Sequence, residues 1–434
     1  MAASPDSIPL ASRRAALELL GACLDRGQPL DDALGSHQGF AALVPRDRAF
    51  VRLLLATTLR RLGEIDGVLG DLIERPLDDA NIAALHALRL GAAQLLFLGT
   101  PPHAAVDTSV RLVEQANLPF LKGLINAVLR RIAREGAVLL GAAPDAAHLN
   151  TPEWLWASWV ESYGEETARA IAAAHLVEAP LDITPRSSTE TWASQLEAEV
   201  LPIGTLRRPA GGYIADLPGF AEGAWWVQDA AATLPARLMG ALSGKRVADL
   251  CAAPGGKTMQ LCAAGAAVTA VDVSARRMVR LGENLARSGL SAELVTSDVG
   301  KWKTSEKFDA VLLDAPCSGT GTLRRHPDIA WLKGEDDIAR LTLTQDRLLL
   351  RAIELLAPGG TLIYAVCSLQ EDEGPARIEG LLARRPRLKR VPVQPDELPG
   401  LTEAITPAGD VRTLPSMWPE RGGIDGFYVA RLTA

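Results

Sequence analysis

Residues 246–258 read RVADLCAAPGGKT. The run RVADLC (246–251) is a short apolar strand, and Gly255-Gly256-Lys257-Thr258 behind it opens a helix. In an open α/β fold, ligands sit beyond the carboxyl ends of the strands, near the switch in strand order. Two adjacent glycines let the backbone pass close to such a ligand and permit positive φ. The helix that follows points its free N–H groups at it. A Walker-type phosphate loop fits less well, because GGKT lacks the upstream glycine at the required spacing, and the GxGxxG of a nicotinamide site is absent.

Downstream, the apolar runs AVTAVDV (267–273), AELVTS (292–297), DAVLLD (309–314) and TLIYAV (361–366) alternate with helical stretches at 257–264, 274–288 and 338–356. That alternation predicts βαβ units and a Rossmann-like, doubly wound parallel sheet over 226–434, an α/β fold. FYVARL (427–432) is expected as a terminal antiparallel strand. Asp272 ends the second strand, where a carboxylate can hold two ribose hydroxyls. Asp298 follows the third, suited to an adenine edge, and Asp314 ends the fourth. Singly, each reads as well as a turn or a helix cap. Together they make a ligand site the better reading.

Upstream, residues 10–135 show helix periodicity throughout, in runs such as ALELLGACL (16–24) and LPFLKGLINAVLRRIA (118–133). An all-α domain of five to seven helices is expected, followed by a linker at 136–152. Helical segments at 153–163 and 165–174 then give way to the β-like pieces LDIT (181–184) and GYIAD (212–216), a small α+β subdomain. The expected division is 1–148, 149–225 and 226–434.

Composition limits the alternatives. With 434 residues, 48% hydrophobic and 22% charged, the chain can bury cores and is not broadly disordered. The net charge of -7 argues on its face against nucleic acid. By segment, however, it is -1 over 1–148, -7 over 149–225 and +1 over 226–434. The flanks are near neutral, so each can carry a local basic face. Five cysteines without close pairs argue against a disulfide framework and for a reducing cytoplasm. The N-terminus lacks a signal-peptide core, and the apolar stretch 82–98 is broken by His86, Arg89 and Gln94 at helical spacing. No membrane partner is expected, and a monomer is.

Cys317 follows the fourth strand in Asp314-Ala315-Pro316-Cys317-Ser318, and Cys367 ends the fifth in Tyr364-Ala365-Val366-Cys367-Ser368. Neighbouring strands lie about 4.8 Å apart, so both thiols would overhang one cleft. This suits methylation at carbon 5 of a pyrimidine. Carbon 5 is a poor nucleophile until a thiolate adds to carbon 6 and makes it enamine-like. A carboxyl such as Asp314 can hydrogen-bond the ring nitrogen, and a base must then remove the carbon-5 proton and expel the thiol. The competing reading is two inert core thiols. A metal site is disfavoured, because there is no Cys-x-x-Cys pair and no nearby His doublet.

The strings DLCAAPGGKT, LLDAPCSGTGTLRRHPDIAW, YAVCS and DGFYVARL resemble the signature motifs of the NOL1/NOP2/Sun family of RNA cytosine-C5 methyltransferases. Arg46-Asp47-Arg48-Ala49-Phe50 and residues 122–130 (KGLINAVLR) resemble the NusB-like RNA-binding helical domain. The two together are the layout of the family's bacterial 16S rRNA enzymes. The resemblance covers about 10–150 and 225–434, with 153–225 matching loosely as a pre-catalytic subdomain.

The resemblance implies S-adenosylmethionine as methyl donor, with Cys251, Ala252, Ala253, Pro254, Gly255, Gly256, Lys257, Asp272, Asp298 and Asp314 at cofactor-contacting positions. It places Cys367 on the nucleophile and Cys317 on the cysteine needed for product release, with Asp314 and Lys257 beside them. Two departures stand out. Val366 replaces the usual Thr, and Gln370-Glu371-Asp372-Glu373-Gly374 replaces a Pro-Glu-Glu-Asn ending.

Phosphate contacts need local basic groups, not a basic average. The candidates are Lys122, Arg130, Arg131 and Arg134 near the last N-terminal helix, Arg324 and Arg325 after the release cysteine, and a run from Arg384 to Arg390. The target base must leave any stack to reach the thiol, so single-stranded or loop RNA is the expected substrate. DNA is not expected, because the related DNA enzymes use the Pro-Cys thiol as nucleophile and lack the second Cys motif. The same chemistry on transfer RNA and a non-catalytic assembly factor remain as alternatives.

Overall fold

The computed structural model of the chain describes residues 8–141 and 145–434. By contact they form two units: residues through Val160 with Arg325–Lys333, and Glu161–Arg324 with Gly334–Ala434.

The first unit is helical: α1 (Ile8–Leu24), α2 (Leu30–Ser36), α3 (Gln38–Ala41), α4 (Pro45–Arg60), α5 (Leu62–Leu72), α6 (Ile82–Leu96), α7 (Pro102–Gln115), α8 (Lys122–Gly141) and α9 (Ala146–Leu149). The expected five to seven helices over 10–135 become eight, because two short ones, α2 and α3, join α1 to α4. In α8 the residues at helical spacing, Ile125, Val128, Leu129 and Ile132, are buried, and Arg130, Arg131 and Arg134 face out. The linker expected at 136–152 is corrected. Helix α8 continues through Gly141 because Leu139 and Leu140 pack on the helical core, and α9 follows, with Asp145 capping His148 N. Residues 142–144 of that stretch lie outside the described residues.

Arg325–Lys333, which follows the Pro-Cys-Ser segment in sequence, belongs to this helical unit. Leu30 N donates to Asp328 Oδ2 at 2.9 Å, and Trp331 Nε1 donates to Leu59 O at 2.9 Å.

In the second unit, β1 (Leu181–Pro185), β2 (Glu199–Val200), β3 (Leu206–Arg208) and β4 (Trp225–Val227) make an antiparallel sheet in the order β2-β3-β1-β4. LDIT lies in β1 as expected, but GYIAD does not form a strand. Its place is taken by a 3-10 turn at Ile214–Asp216, preceded by Gly211 and Gly212 at φ of 115° and 82°. Such torsions leave the extended ladder. The helices at 153–163 and 165–174 are present as α10 (Glu153–Tyr163) and α11 (Glu165–His175), and a short α12 (Thr189–Gln195) follows.

The larger sheet contains the five expected parallel strands: β5 (Arg246–Leu250), β6 (Ala267–Asp272), β7 (Glu293–Thr296), β8 (Phe308–Asp314) and β9 (Leu356–Val366). Beyond them come β10 (Lys389–Arg390), β11 (Val411–Thr413) and β12 (Phe427–Thr433), the last antiparallel to β9 as expected. The order is β10-β12-β9-β8-β5-β6-β7, with β11 on β12. The strand order therefore reverses beside β5, where ligands bind in such sheets.

Helices α13 (Ala230–Arg237), α14 (Gly256–Ala263), α15 (Ala275–Ser288), α17 (Glu335–Leu355) and α18 (Pro375–Arg384) flank this sheet, and α16 (Ile329–Leu332) lies in the helical unit. Period-two alternation splits the β8 side chains between two cores: Ala310 and Leu312 join one, Val311 and Leu313 the other. Helix α15 shows why the local sequence folds as it does. Ser274 caps its start by accepting from Arg277 N, Met278, Leu281 and Leu285 are buried, and Gly289 ends it at φ 62°. Among the described residues, no helix is long and apolar enough to cross a membrane, and no cluster of His, Cys, Asp or Glu could hold a metal ion.

Candidate active site

The two thiols meet because β8 and β9 are parallel neighbours in a register that places Asp314 opposite Ala365. Past the strand ends the ladder continues: Ala315 N donates to Ala365 O at 2.9 Å, and Gly321 N to Cys367 O at 3.0 Å. Cys317 Sγ and Cys367 Sγ then lie 3.4 Å apart, in hydrogen-bond contact. That contact, with burial and the nearby Glu373 and Asp314, holds the Cys317 thiol well above the usual thiol range.

Lys257, at the start of α14, donates from Nζ to Asp314 Oδ2 at 2.7 Å and lies 5.2 Å from the centre of the Phe427 ring. Burial pulls its ammonium down, but the charge and hydrogen bond of Asp314, together with Cys367 and Asp249, carry it up. The structure thus brings together Cys317, Cys367, Asp314 and Lys257. Asp314 and the two thiols lie at or just past the carboxyl ends of β8 and β9, and Lys257 at the start of the helix that follows β5.

Asp249, inside β5, is completely buried and accepts from Thr258 Oγ1 at 2.6 Å. Burial pushes its carboxyl up to about 7, against the Thr258 hydrogen bond. The folded state therefore keeps a proton that the unfolded chain loses above about pH 4. Between those values the folded state binds more protons, so stability falls as pH rises toward 7. Asp249→Asn cannot ionise and should flatten that decline. Melting temperatures of both proteins at pH 5 and 7.5 check this, and equal drops in both would count against it.

The loop after β5 turns sharply. Cys251 sits at φ 62° and Gly255 at φ 106°, with a Gly255 Cβ falling 2.8 Å from Leu281 Cγ. Glycine at 255 is thus required by both torsion and space. No side chain caps α14, so its first N–H groups are left to face the loop side. Asp272, 1% exposed, accepts from Ser274 N at 2.8 Å and Arg277 at 3.1 Å on Oδ1, and from Ala253 N at 3.2 Å on Oδ2. Its carboxylate ties the β6 end to the glycine loop. Asp298 accepts from Gly300 N at 2.7 Å and from Arg347 at 3.1 Å. Slight burial works against these two groups, but they hold its carboxyl low. A glycine-rich backbone cradle with carboxylates at successive strand ends fits an adenosyl sulfonium, which offers ribose hydroxyls to bind and a cation to balance.

Sequence reasoning missed the groups that brace the thiol loops. Glu373, 0% exposed, accepts from Ser318 N at 2.9 Å, Ser318 Oγ at 2.5 Å, Ser368 Oγ at 2.6 Å and Gln345 Nε2 at 3.0 Å. Its only sequence signal was the acidic pair shared with the family's motif ending. The two departures are accommodated by packing. Val366 is fully buried in the core, and a Cβ on Gly374 would fall 2.8 Å from Arg412 Nη2 and 2.9 Å from Tyr428 Cγ, leaving no room for the family's asparagine.

The basic candidates divide. Arg130, Arg131 and Arg134 form an exposed face on α8, Lys122 at its start pairs with Glu114, and Arg325 is exposed. Arg324 is corrected as an RNA contact. It is 1% exposed, donating to Gly422 O at 2.6 Å and lying 3.2 Å from both Asp229 and Asp425. A guanidinium enclosed this way cannot reach a phosphate. At the ends of the third cluster, Arg384 pairs with Asp346 and Arg390 with Glu379 and Asp410.

Residues 238–433 match the family described as 16S rRNA methyltransferase RsmB/F, and residues 10–134 match the NusB family. Ribosomal RNA small subunit methyltransferase B of Vibrio cholerae serotype O1 is 34% identical over 439 residues, 97% of each chain. Its namesake from Klebsiella pneumoniae strain 342 is 35% identical with the same coverage. Among solved structures, PH0851 superposes with a TM-score of 0.76 over 99% of each chain at 23% identity, a likeness that bears on the fold alone. A methyltransferase homologue from Pyrococcus horikoshii superposes with a TM-score of 0.54 at 25% identity, over 64% of this chain and 93% of its own. Sharing about a third of its residues with such relatives across nearly its whole length, the chain belongs to the RsmB/F family of 16S rRNA methyltransferases.

Proposed function

We propose that the protein methylates carbon 5 of a cytidine in 16S rRNA through a covalent adduct between Cys367 and carbon 6. The observation that carries this reading is the pair of thiols 3.4 Å apart beside the Lys257–Asp314 ion pair. Neither thiol alone suggests the chemistry, but two of them with a carboxyl at one strand end supply each step. When bound, S-adenosylmethionine supplies an electrophilic methyl group and leaves as S-adenosylhomocysteine.

The Cys367 sulfur adds its electron pair to carbon 6 as a thiolate. Addition pushes electron density onto the ring nitrogen N3, which takes up the proton that the Cys367 thiol gave up, relayed through the Asp314 carboxylate. Carbon 5 then carries the nucleophilic pair that bonds the methyl carbon. Loss of the carbon-5 proton restores the ring double bond, N3 gives up its proton, and the carbon 6–sulfur pair returns to Cys367.

The chain's division into an RNA-binding segment at 1–148, a pre-catalytic segment at 149–225 and a methyltransferase segment at 226–434 goes with this reading. Lys122, Arg130, Arg131, Arg134 and Arg325 are its RNA contacts, by exposure and charge. Bisulfite sequencing of ribosomal and transfer RNA from a strain lacking the gene tests it. One 16S cytidine should lose its protection, and the purified protein should restore it. Loss confined to transfer RNA would replace the substrate, and no loss anywhere would favour a non-catalytic assembly factor.

A further inference from the structure

We propose that Glu373 is a positioning residue for the release half of the reaction: it braces the Cys317 and Cys367 loops so that the two sulfurs stay in proton-transfer contact. This rests on the covalent reading given above.

Glu373 touches neither sulfur. It lies in the turn at Glu371–Glu373 that follows β9 and folds back on both loops. One oxygen takes Ser318 N and Gln345 Nε2, and the other takes both serine hydroxyls. Ser318 is the residue after Cys317, and Ser368 the residue after Cys367. One buried carboxylate therefore holds the residue that follows each catalytic thiol, Ser318 by backbone and hydroxyl and Ser368 by its hydroxyl. Gln345 ties the same group to Pro316 O at 2.9 Å, and Tyr364 Oη donates to the Glu373 carbonyl at 2.6 Å, so the brace is itself held. Charge-assisted hydrogen bonds between buried groups are strong, and a chain of them rigidifies its surroundings.

A brace between two cysteine loops has little to do in the first half of the reaction, which needs only Cys367. The second half needs both. As the carbon 6–sulfur bond breaks, its electron pair stays on the Cys367 sulfur, which takes the Cys317 proton across the 3.4 Å contact. The carbon 5–hydrogen pair closes the carbon 5–carbon 6 bond, and the carbon-5 proton replaces the one Cys317 gave up. Protons and electrons balance with no further reagent. The negative charge of Glu373 also favours Cys317 as a thiol, the form that has a proton to give.

The test is Glu373→Gln, which keeps shape but removes charge and sets an amide N–H₂ against existing donors, compared with Ser368→Ala, which removes one hydrogen bond. Methyl transfer in a single turnover and KM for rRNA should stay within about threefold of the parent. Steady-state kcat should fall by tenfold or more, with covalent protein–RNA adduct accumulating although both thiols are present. Ser368→Ala should shift the same way by a smaller factor. Adduct formation and release falling in parallel, or release at the parent rate, would overturn the proposal. Cys317→Ala run alongside separates the two readings: no adduct there sinks the covalent mechanism, whereas an adduct there with normal release in Glu373→Gln sinks only the role of Glu373.

Discussion

Cys317→Ala is expected to convert the protein into a trap for its own substrate. Incubated with rRNA and S-adenosylmethionine, it should hold RNA covalently, visible as a band that survives denaturing electrophoresis and disappears on ribonuclease treatment. Turnover should drop by roughly 10²–10⁴-fold, the range for removal of a group that moves a proton in the transition state. Cys367→Ala should form no adduct and methylate nothing. The double variant should resemble Cys367→Ala, because the bond that Cys317 helps to break is never made. The asymmetry is the decisive part. If the two cysteines were a buried structural pair, the single variants would behave alike. An adduct in Cys367→Ala would reverse the two roles.

That experiment exploits a feature readable in advance. Cys317 and Cys367 are 50 residues apart, yet each follows an apolar run that only a parallel strand explains, and consecutive parallel strands end on the same side of a sheet. The sharp glycine turn after β5 and the carboxylates at the ends of β6 and β8 were readable for the same reason, since glycines and carboxylates recur at strand ends. Glu373 was not readable. It acts through a turn that doubles back on two loops, and sequence spacing holds no record of such a return. Its segment instead looked like a departure from a familiar motif. Gly374 looked like a lost amide, whereas the space beside it is filled by Arg412 and Tyr428. Strands β3 and β4, three residues each, are too short for alternation to reveal them. The C-terminal end of α8 was hidden by its glycines and alanines, although two leucines there dock on the helical core.

Arg324 shows the limit most sharply, and replacing it should have the largest effect on stability. In sequence it stands beside Arg325, three residues after Gly321, and reads as half of a basic pair at the cleft. In the fold its guanidinium lies between Asp229 and Asp425, which are 95 and 101 residues away, and all three side chains are at most 3% exposed. Asp229 also accepts from Ala231 N at 2.8 Å to cap α13, and from Asp425 N at 3.2 Å. One arginine thus ties the start of α13 to the turn that leads into β12. Arg324→Ala removes the cation from between two buried carboxylates. Breaking a buried pair in this way costs about 3–5 kcal/mol, and the melting transition should fall by about 6–20 °C. Arg324→Lys should recover only part of the loss, since one ammonium cannot reproduce a planar fork that spans two carboxylates and a carbonyl. Arg325→Ala is the matching control. Its side chain is exposed, so the melting temperature should barely move, while rRNA affinity weakens and the salt dependence of binding loses about one counterion. Calorimetry and filter binding on the two variants would separate neighbours that the sequence presents as equivalent. A stable Arg324→Ala protein with weakened RNA binding would restore the reading of both arginines as phosphate contacts.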